Sequence, residues 1–204
     1  MDTGKARVAV FISGSGTDLQ SLIDAERGGR LAGHIAWVVA STRKAYGLVR
    51  AADAGIETWV FRTSNYESEH SAGEDLLMRL RERDISYIAL AGYLKLMPPV
   101  VVREYRGRMV NIHPALLPRY GGRGMYGRHV HEAVLASGDR ESGPTVHLVD
   151  EIYDNGTILE QLKVPVLEGD TPETLAARVL DAEHLLYPKV LDKLIKGEYT
   201  QTHG

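Results

Sequence analysis

The sequence predicts an α/β fold, doubly wound on a mostly parallel sheet, with an antiparallel C-terminal strand. Two observations carry that prediction. Short apolar runs alternate along the chain with longer stretches that have one apolar face, the order expected of βαβ units. The first run, Val8-Ala9-Val10-Phe11-Ile12, is apolar at every position, as suits a strand covered on both sides of a parallel sheet.

The elements follow in order. After the first strand, Ser13-Gly14-Ser15-Gly16-Thr17 makes a turn and Asp18-Leu19-Gln20-Ser21-Leu22-Ile23 starts a helix. Strand, glycine turn and helix aim backbone N–H groups at a phosphate. The lysine of a P-loop is missing, and Leu19 occupies the third glycine position of the dinucleotide fingerprint. Two readings stand for this segment: a single-phosphate site at Gly16, Thr17 and Asp18, or an ordinary tight turn. Strands are expected at 34–39, 56–61 and 85–90, with helices at 46–54 and 67–83. Gly92 turns the chain, and Pro98 and Pro99 suit the start of a short helix. Leu94, Leu96 and Met97 either join the core or wall a pocket for a flat ligand. Met109 to His113 is a strand stopped by Pro114, which has no N–H to continue a ladder. Arg119 to His131 is a glycine-rich loop, long enough to be functional or mobile. A helix over 132–137 follows, then a strand at 145–149, a turn, and a strand over 157–166 returning antiparallel. The last helix starts with Thr171 as cap and Pro172 at its first position, and runs to Lys196 with a possible break at Pro188.

At 204 residues, one domain over 1–204 is the natural expectation. The net charge of −3 gives no broad basic surface for nucleic acid. The absence of cysteine excludes disulfides, thiolate-bound zinc and thiol nucleophiles. No apolar run approaches the roughly 20 residues that span a bilayer, and the N-terminus has no secretory apolar core, so a cytoplasmic protein is expected.

Chemistry gathers at Asn111 and His113. Two residues apart on a strand, they point to the same side, and they sit where the strand opens into a loop. His129-x-His131 allows a metal reading, which the lack of an HExxH-type pattern argues against. A lone buried histidine would be a satisfied core residue. Here Asn111 is its neighbour, and Asp150, Glu151 and Asp154 lie in a later turn. A carboxylate close to His113 would raise its pKa and favour imidazolium. Amide, imidazolium and carboxylate together suit acyl transfer to an amine, with no covalent nucleophile.

NIHPALLPRY, TVHLVDEIYDNGTI and VAVFISGSGTDLQSLIDA, with AGYLKLMP and EHLLYP around them, resemble the folate-dependent phosphoribosylglycinamide formyltransferase family from Val8 to Pro188. The resemblance implies formyl transfer from 10-formyltetrahydrofolate to the amine of glycinamide ribonucleotide, in purine synthesis, with no metal. It implies Asn111, His113 and Asp154 as catalytic residues, His113 donating a proton and Asp154 raising its pKa, with His147 in support. Gly16, Thr17 and Asp18 match the phosphate segment. Leu180, Asp181, Ala182 and Glu183 match a segment reaching the ribonucleotide, with Glu183 the partner of its amino end. Leu94, Lys95, Leu96 and Met97, together with Asn111 and the turn Asp150, Glu151, Ile152, Tyr153 and Asp154, match the folate site.

Three departures are visible. Asp18 stands where many relatives carry asparagine, and its charge suits a helix cap pointing away from a phosphate. Glu69 stands where some relatives carry a folate-contacting arginine, leaving Arg62 or His70 to substitute. The loop 121–131 is longer than the family's short version. The rival enzyme is a formyltetrahydrofolate hydrolase, which shares the catalytic core; its usual N-terminal regulatory domain has no room before Val8. The expected partners are glycinamide ribonucleotide and reduced folate, with no nucleic acid or membrane, in a monomer or homodimer.

Overall fold

The computed structural model describes residues 4–199. Its elements in chain order are β1 (Ala6–Ile12), α1 (Thr17–Arg27), β2 (Gly33–Ala40), α2 (Gly47–Asp53), β3 (Glu57–Val60), α3 (Glu69–Glu82), β4 (Ile85–Leu90), α4 (Pro99–Glu104) and β5 (Met109–His113). Then come α5 (Arg128–Ser137), β6 (Glu141–Ser142), β7 (Thr145–Leu148), β8 (Ile158–Gln161), β9 (Val164–Pro165) and α6 (Pro172–Ile195). No helix among the described residues is long and apolar enough to cross a membrane.

The main sheet has seven strands in the order β3-β2-β1-β4-β5-β7-β8. The first five are parallel; β7 runs antiparallel to β5, and β8 antiparallel to β7. The side-chain period of a strand assigns its two faces. Val8, Val10 and Ile12 of β1 join one core with α1 and α6, while Ala9 and Phe11 join the other with α3 and α4. The chain leaves β1 toward β2 on one side, and β4 lies on the other. The crevice at their C-terminal ends is the switch point where such sheets bind ligands.

Two expectations change here. The helix expected at 132–137 begins four residues earlier, at Arg128, so His129 and His131 stand on α5 rather than in a loop. Its N-cap is Gly127 and no side chain caps it, so the usual polar start signal is missing. The single strand expected over 157–166 is divided. β8 closes the main sheet, while β9 pairs with β6 in a separate ladder. The last helix begins as expected, with Thr171 and Thr174 in a capping box and Pro172 in the first turn, and it runs through Pro188 without a break. The buried Tyr187 hydroxyl donates to the Leu90 carbonyl at 2.8 Å, fastening α6 beneath the end of β4.

The turn after β1 depends on Gly16. Its φ is +71°, and a Cβ there would lie 2.6 Å from the Gly47 Cα. Gly47 in turn donates its N–H to the Gly14 carbonyl at 3.2 Å. Gly16→Ala is therefore expected to cost about 2–4 kcal/mol, the sum of left-handed strain and overpacking. Urea unfolding measures it; an unchanged midpoint would mean that α2 moves aside freely.

Candidate active site

A cavity of about 580 Å³ opens at the switch point. Four segments supply its chemistry. Ser15, Thr17 and Asp18 come from the turn after β1 and the start of α1. Tyr93 and Leu94 follow β4, and Asn111 and His113 end β5. Leu180 and Glu183 stand one turn apart on α6, with Ala176 a turn before them. The loop 122–127 covers the cavity, and His131 of α5 and Asp154 reach it from the side.

Asp154 is the hub. It is a non-glycine residue held at φ 52°, a left-handed conformation that marks a constrained position. Its Oδ2 accepts the Gly122 N–H at 2.9 Å and lies 3.5 Å from His113 Nδ1. Its Oδ1 accepts a long 3.4 Å bond from Asn111 Nδ2 and lies 3.6 Å from His147 Nε2. Burial alone would raise the Asp154 pKa. In the acidic range where a carboxyl titrates, the neighbouring imidazoles of His147 and His113 and the Gly122 N–H outweigh it and hold the carboxyl below its usual range.

The imidazoles can be assigned from their partners. A carbonyl only accepts, so His113 Nε2 carries a hydrogen and donates to Tyr120 O at 2.7 Å. His147 Nδ1 likewise donates to Leu148 O at 2.9 Å. Its Nε2 is then an acceptor for Asn111 Nδ2 at 3.1 Å. His147 thus fixes the amide of Asn111, while the amide's longer contact to Asp154 is the one easily given up.

The protonation expected of His113 is corrected. Burial pushes its pKa below the ordinary histidine value, and the opposing pull of Asp154 and the Tyr120 carbonyl does not overcome it. In the unliganded protein His113 is a neutral imidazole beside an ionised carboxylate, poised to take a proton rather than already holding one.

Asp18 is also corrected. It caps nothing: Gly16 is the N-cap of α1, with no side-chain cap bond. The Asp18 carboxyl is buried, with Oδ1 unpartnered, and burial pushes its pKa up to about 6. A carboxyl raised in this way takes up a proton on folding. Its stabilising contribution is full below the unfolded value of 3.8 and is lost as pH rises through about 6. Asp18→Asn is accordingly expected to stabilise the unliganded protein by about 2–3 kcal/mol near neutral pH, with the gain fading toward about pH 4. Urea unfolding at the two pH values checks this; equal gains at both would contradict it.

The other sequence candidates divide. Gly16 is buried against Gly47 and shapes the turn without lining the cavity. Asp181 points to solvent and Ala182 packs inward, so of that segment only Leu180 and Glu183 face the cavity. Leu94 lines it, and Leu94, Lys95 and Leu96 line a neighbouring groove of about 770 Å³ with Arg62 and Glu69. Met97 is 5% exposed and belongs to the core with Phe11 and Leu76. Asp150, Glu151 and Ile152 border a separate depression, and only Tyr153 and Asp154 of that turn reach the main cavity. His131, which the sequence offers only as half of a disfavoured metal pair, lines the cavity with a buried, unpartnered Nδ1. Ala176 could have been found from its helical spacing to Leu180 and Glu183. Among the described residues no group of three or more His, Asp or Glu is arranged to hold a metal.

Residues 6–191 match the family model described as formyl transferase. The chain is 44% identical over 190 residues to the chloroplastic phosphoribosylglycinamide formyltransferase of Vigna unguiculata, covering 93% of this chain and 61% of that relative. It therefore spans about three fifths of that plant protein's length. It is 36% identical over 190 residues to phosphoribosylglycinamide formyltransferase of Escherichia coli (strain K12), covering 93% of this chain and 87% of that one. The crystal structure of glycinamide ribonucleotide transformylase 1 from Symbiobacterium toebii superposes with a TM-score of 0.88 at 37% identity, covering 96% of this chain and 90% of the other. On sequence and fold, the chain belongs to the formyl transferase family.

Proposed function

We propose that this protein transfers the formyl group of 10-formyltetrahydrofolate to the primary amine of glycinamide ribonucleotide, as a cytoplasmic enzyme of purine synthesis. The observation that carries the reading is the meeting of an amide, an imidazole and a carboxylate at one cavity wall, with Asp154 3.4 Å from Asn111 and 3.5 Å from His113.

The chemistry follows from those groups. The neutral amine attacks the formyl carbon, and the carbonyl oxygen gains charge. Asn111 Nδ2–H leaves its long contact to Asp154 and donates to that oxygen. Asp154 accepts the proton released by the attacking amine, directly or through water, and passes it to His113, which then adds charge stabilisation and protonates the departing folate nitrogen, so that both groups return to their starting states. Collapse of the tetrahedral intermediate breaks the bond to folate and leaves the formyl group on the amine.

The substrates are placed by the same logic. The N-terminus of α1, with Thr17 and Ser15, receives the phosphate. Arg123 is the one permanently charged cation among the residues lining this cavity and sits over it on the covering loop. Leu180 and Glu183 meet the ribonucleotide, Glu183 through one of its N–H or O–H donors. Tyr93, Leu94 and Tyr153 flank the flat pterin, and Lys95 and Arg62 along the neighbouring groove offer cations to the folate carboxylates.

The test follows conversion of 10-formyltetrahydrofolate to tetrahydrofolate with and without glycinamide ribonucleotide. Conversion that needs the ribonucleotide, with formylglycinamide ribonucleotide in equal amount, is the expected result. Equal conversion without it, with formate released, would make the protein a hydrolase.

A further inference from the structure

Asp18 enters the cavity from α1 and Glu183 from α6, 9% and 7% exposed. Among the described residues no lysine or arginine forms an ion pair with either carboxyl, and Arg123 borders the same cavity from the covering loop without pairing with them. His184 Nε2 is the nearest basic group to Asp18, at 3.9 Å from its Oδ1, and both atoms are buried without a hydrogen-bond partner. Burial pushes the His184 pKa down, away from the charged form that would serve as counter-ion. Tyr187 of α6 spends its hydroxyl on the carbonyls of Leu90 and Val110. Arg50 of α2 donates to the Ser15 carbonyl and to Gln20. Two buried carboxyls without an ion-paired lysine or arginine resist being ionised together, because each disfavours the charge of the other.

We propose that Asp18 is a positioning residue for the ribonucleotide, sharing one proton with Glu183 so that the two carboxyls meet the ligand as one donor and one acceptor carrying a single negative charge. Burial and mutual repulsion both favour that state: burial raises Asp18 to about 6, and burial with the charge of Asp18 raises Glu183 well above its ordinary value. The proton belongs to the pair rather than to either residue. The shared proton is a property of the empty protein. Its consequence for ribonucleotide binding rests on the reading given under Proposed function.

Infrared difference spectra of the unliganded protein, wild type minus variant, test the proton. A protonated-carboxyl C=O band is expected in the wild type at neutral pH and is expected to be missing from both Asp18→Asn and Glu183→Gln. Either variant keeps a donor, an acceptor and one charge without needing the proton. No band in the wild type, or a band kept by both variants, overturns the proposal.

Kinetics test the consequence. Asp18→Ala is expected to raise KM for glycinamide ribonucleotide about tenfold, the loss of one charge-assisted hydrogen bond. Asp18→Asn should recover most of that loss. Wild-type KM should climb at the alkaline pH where the band disappears, and the KM of Asp18→Asn should stay flat there. Coincident KM profiles for wild type and Asp18→Asn would overturn the positioning role. Failure of the protein to use the ribonucleotide at all would instead refute the proposed activity, and the infrared band would still decide the shared proton.

Discussion

Asp154→Asn is expected to lower kcat by about 10³- to 10⁴-fold with little change in KM, the scale seen when a carboxylate that orients and charges a catalytic histidine is made neutral. The substitution keeps shape and backbone. Asparagine tolerates the left-handed φ of 52° that this position requires, so the fold should survive. What changes is the charge and one acceptor. An amide at 154 has an NH₂ group on one side, and both carboxylate oxygens now face donors: Gly122 N–H at 2.9 Å on one, Asn111 Nδ2 at 3.4 Å on the other. Either orientation sets donor against donor. His113 also loses the negative neighbour, 3.5 Å away, that opposes the effect of its burial. With burial unopposed, the imidazole resists protonation further, and the transition state loses its charged donor. Steady-state kinetics at saturating ribonucleotide read the effect. A kcat within about tenfold of wild type would remove Asp154 from the mechanism.

His113→Ala is the second large effect, with an expected loss of about 10²- to 10⁴-fold in kcat for removal of a positioned proton donor. Here the structure adds a consequence. The Tyr120 carbonyl loses the donor that holds it at 2.7 Å, and Tyr120 is itself at φ 57° where the covering loop begins. KM should therefore rise together with the fall in kcat, unlike the Asp154 variant. The double variant His113→Ala/Asp154→Asn should be scarcely slower than the slower single variant, because the two residues act as one unit. Losses that multiply would show that they act independently.

Several features of this protein were written locally and could be read without a fold. β1 splits its side chains between two cores because alternate residues of a strand face opposite ways, and Val8 to Ile12 are apolar on both. The start of α6 was legible from Thr171 and Pro172, because a cap and a fixed φ are chemistry of neighbouring residues. Asn111 and His113 were legible for the same reason: their spacing on a strand and the proline after them are local facts. The start of α5 was not, because Gly127 caps it without a side chain.

The remainder was settled only by residues far apart in the chain. Asp18 and Glu183, remote in sequence, become a buried pair when α6 packs on α1. No local pattern announces that, and their charge state depends on what else is sealed in with them. The Asp154 turn alone says nothing of the three partners that hold its carboxyl low. The His113 pKa falls because burial there outweighs one nearby carboxylate. Strand period, helix caps and turn residues are interactions between near neighbours, and the sequence by itself determined them. Desolvation and long-range electrostatics depend on every group that closes over a site, and only the tertiary structure decided those.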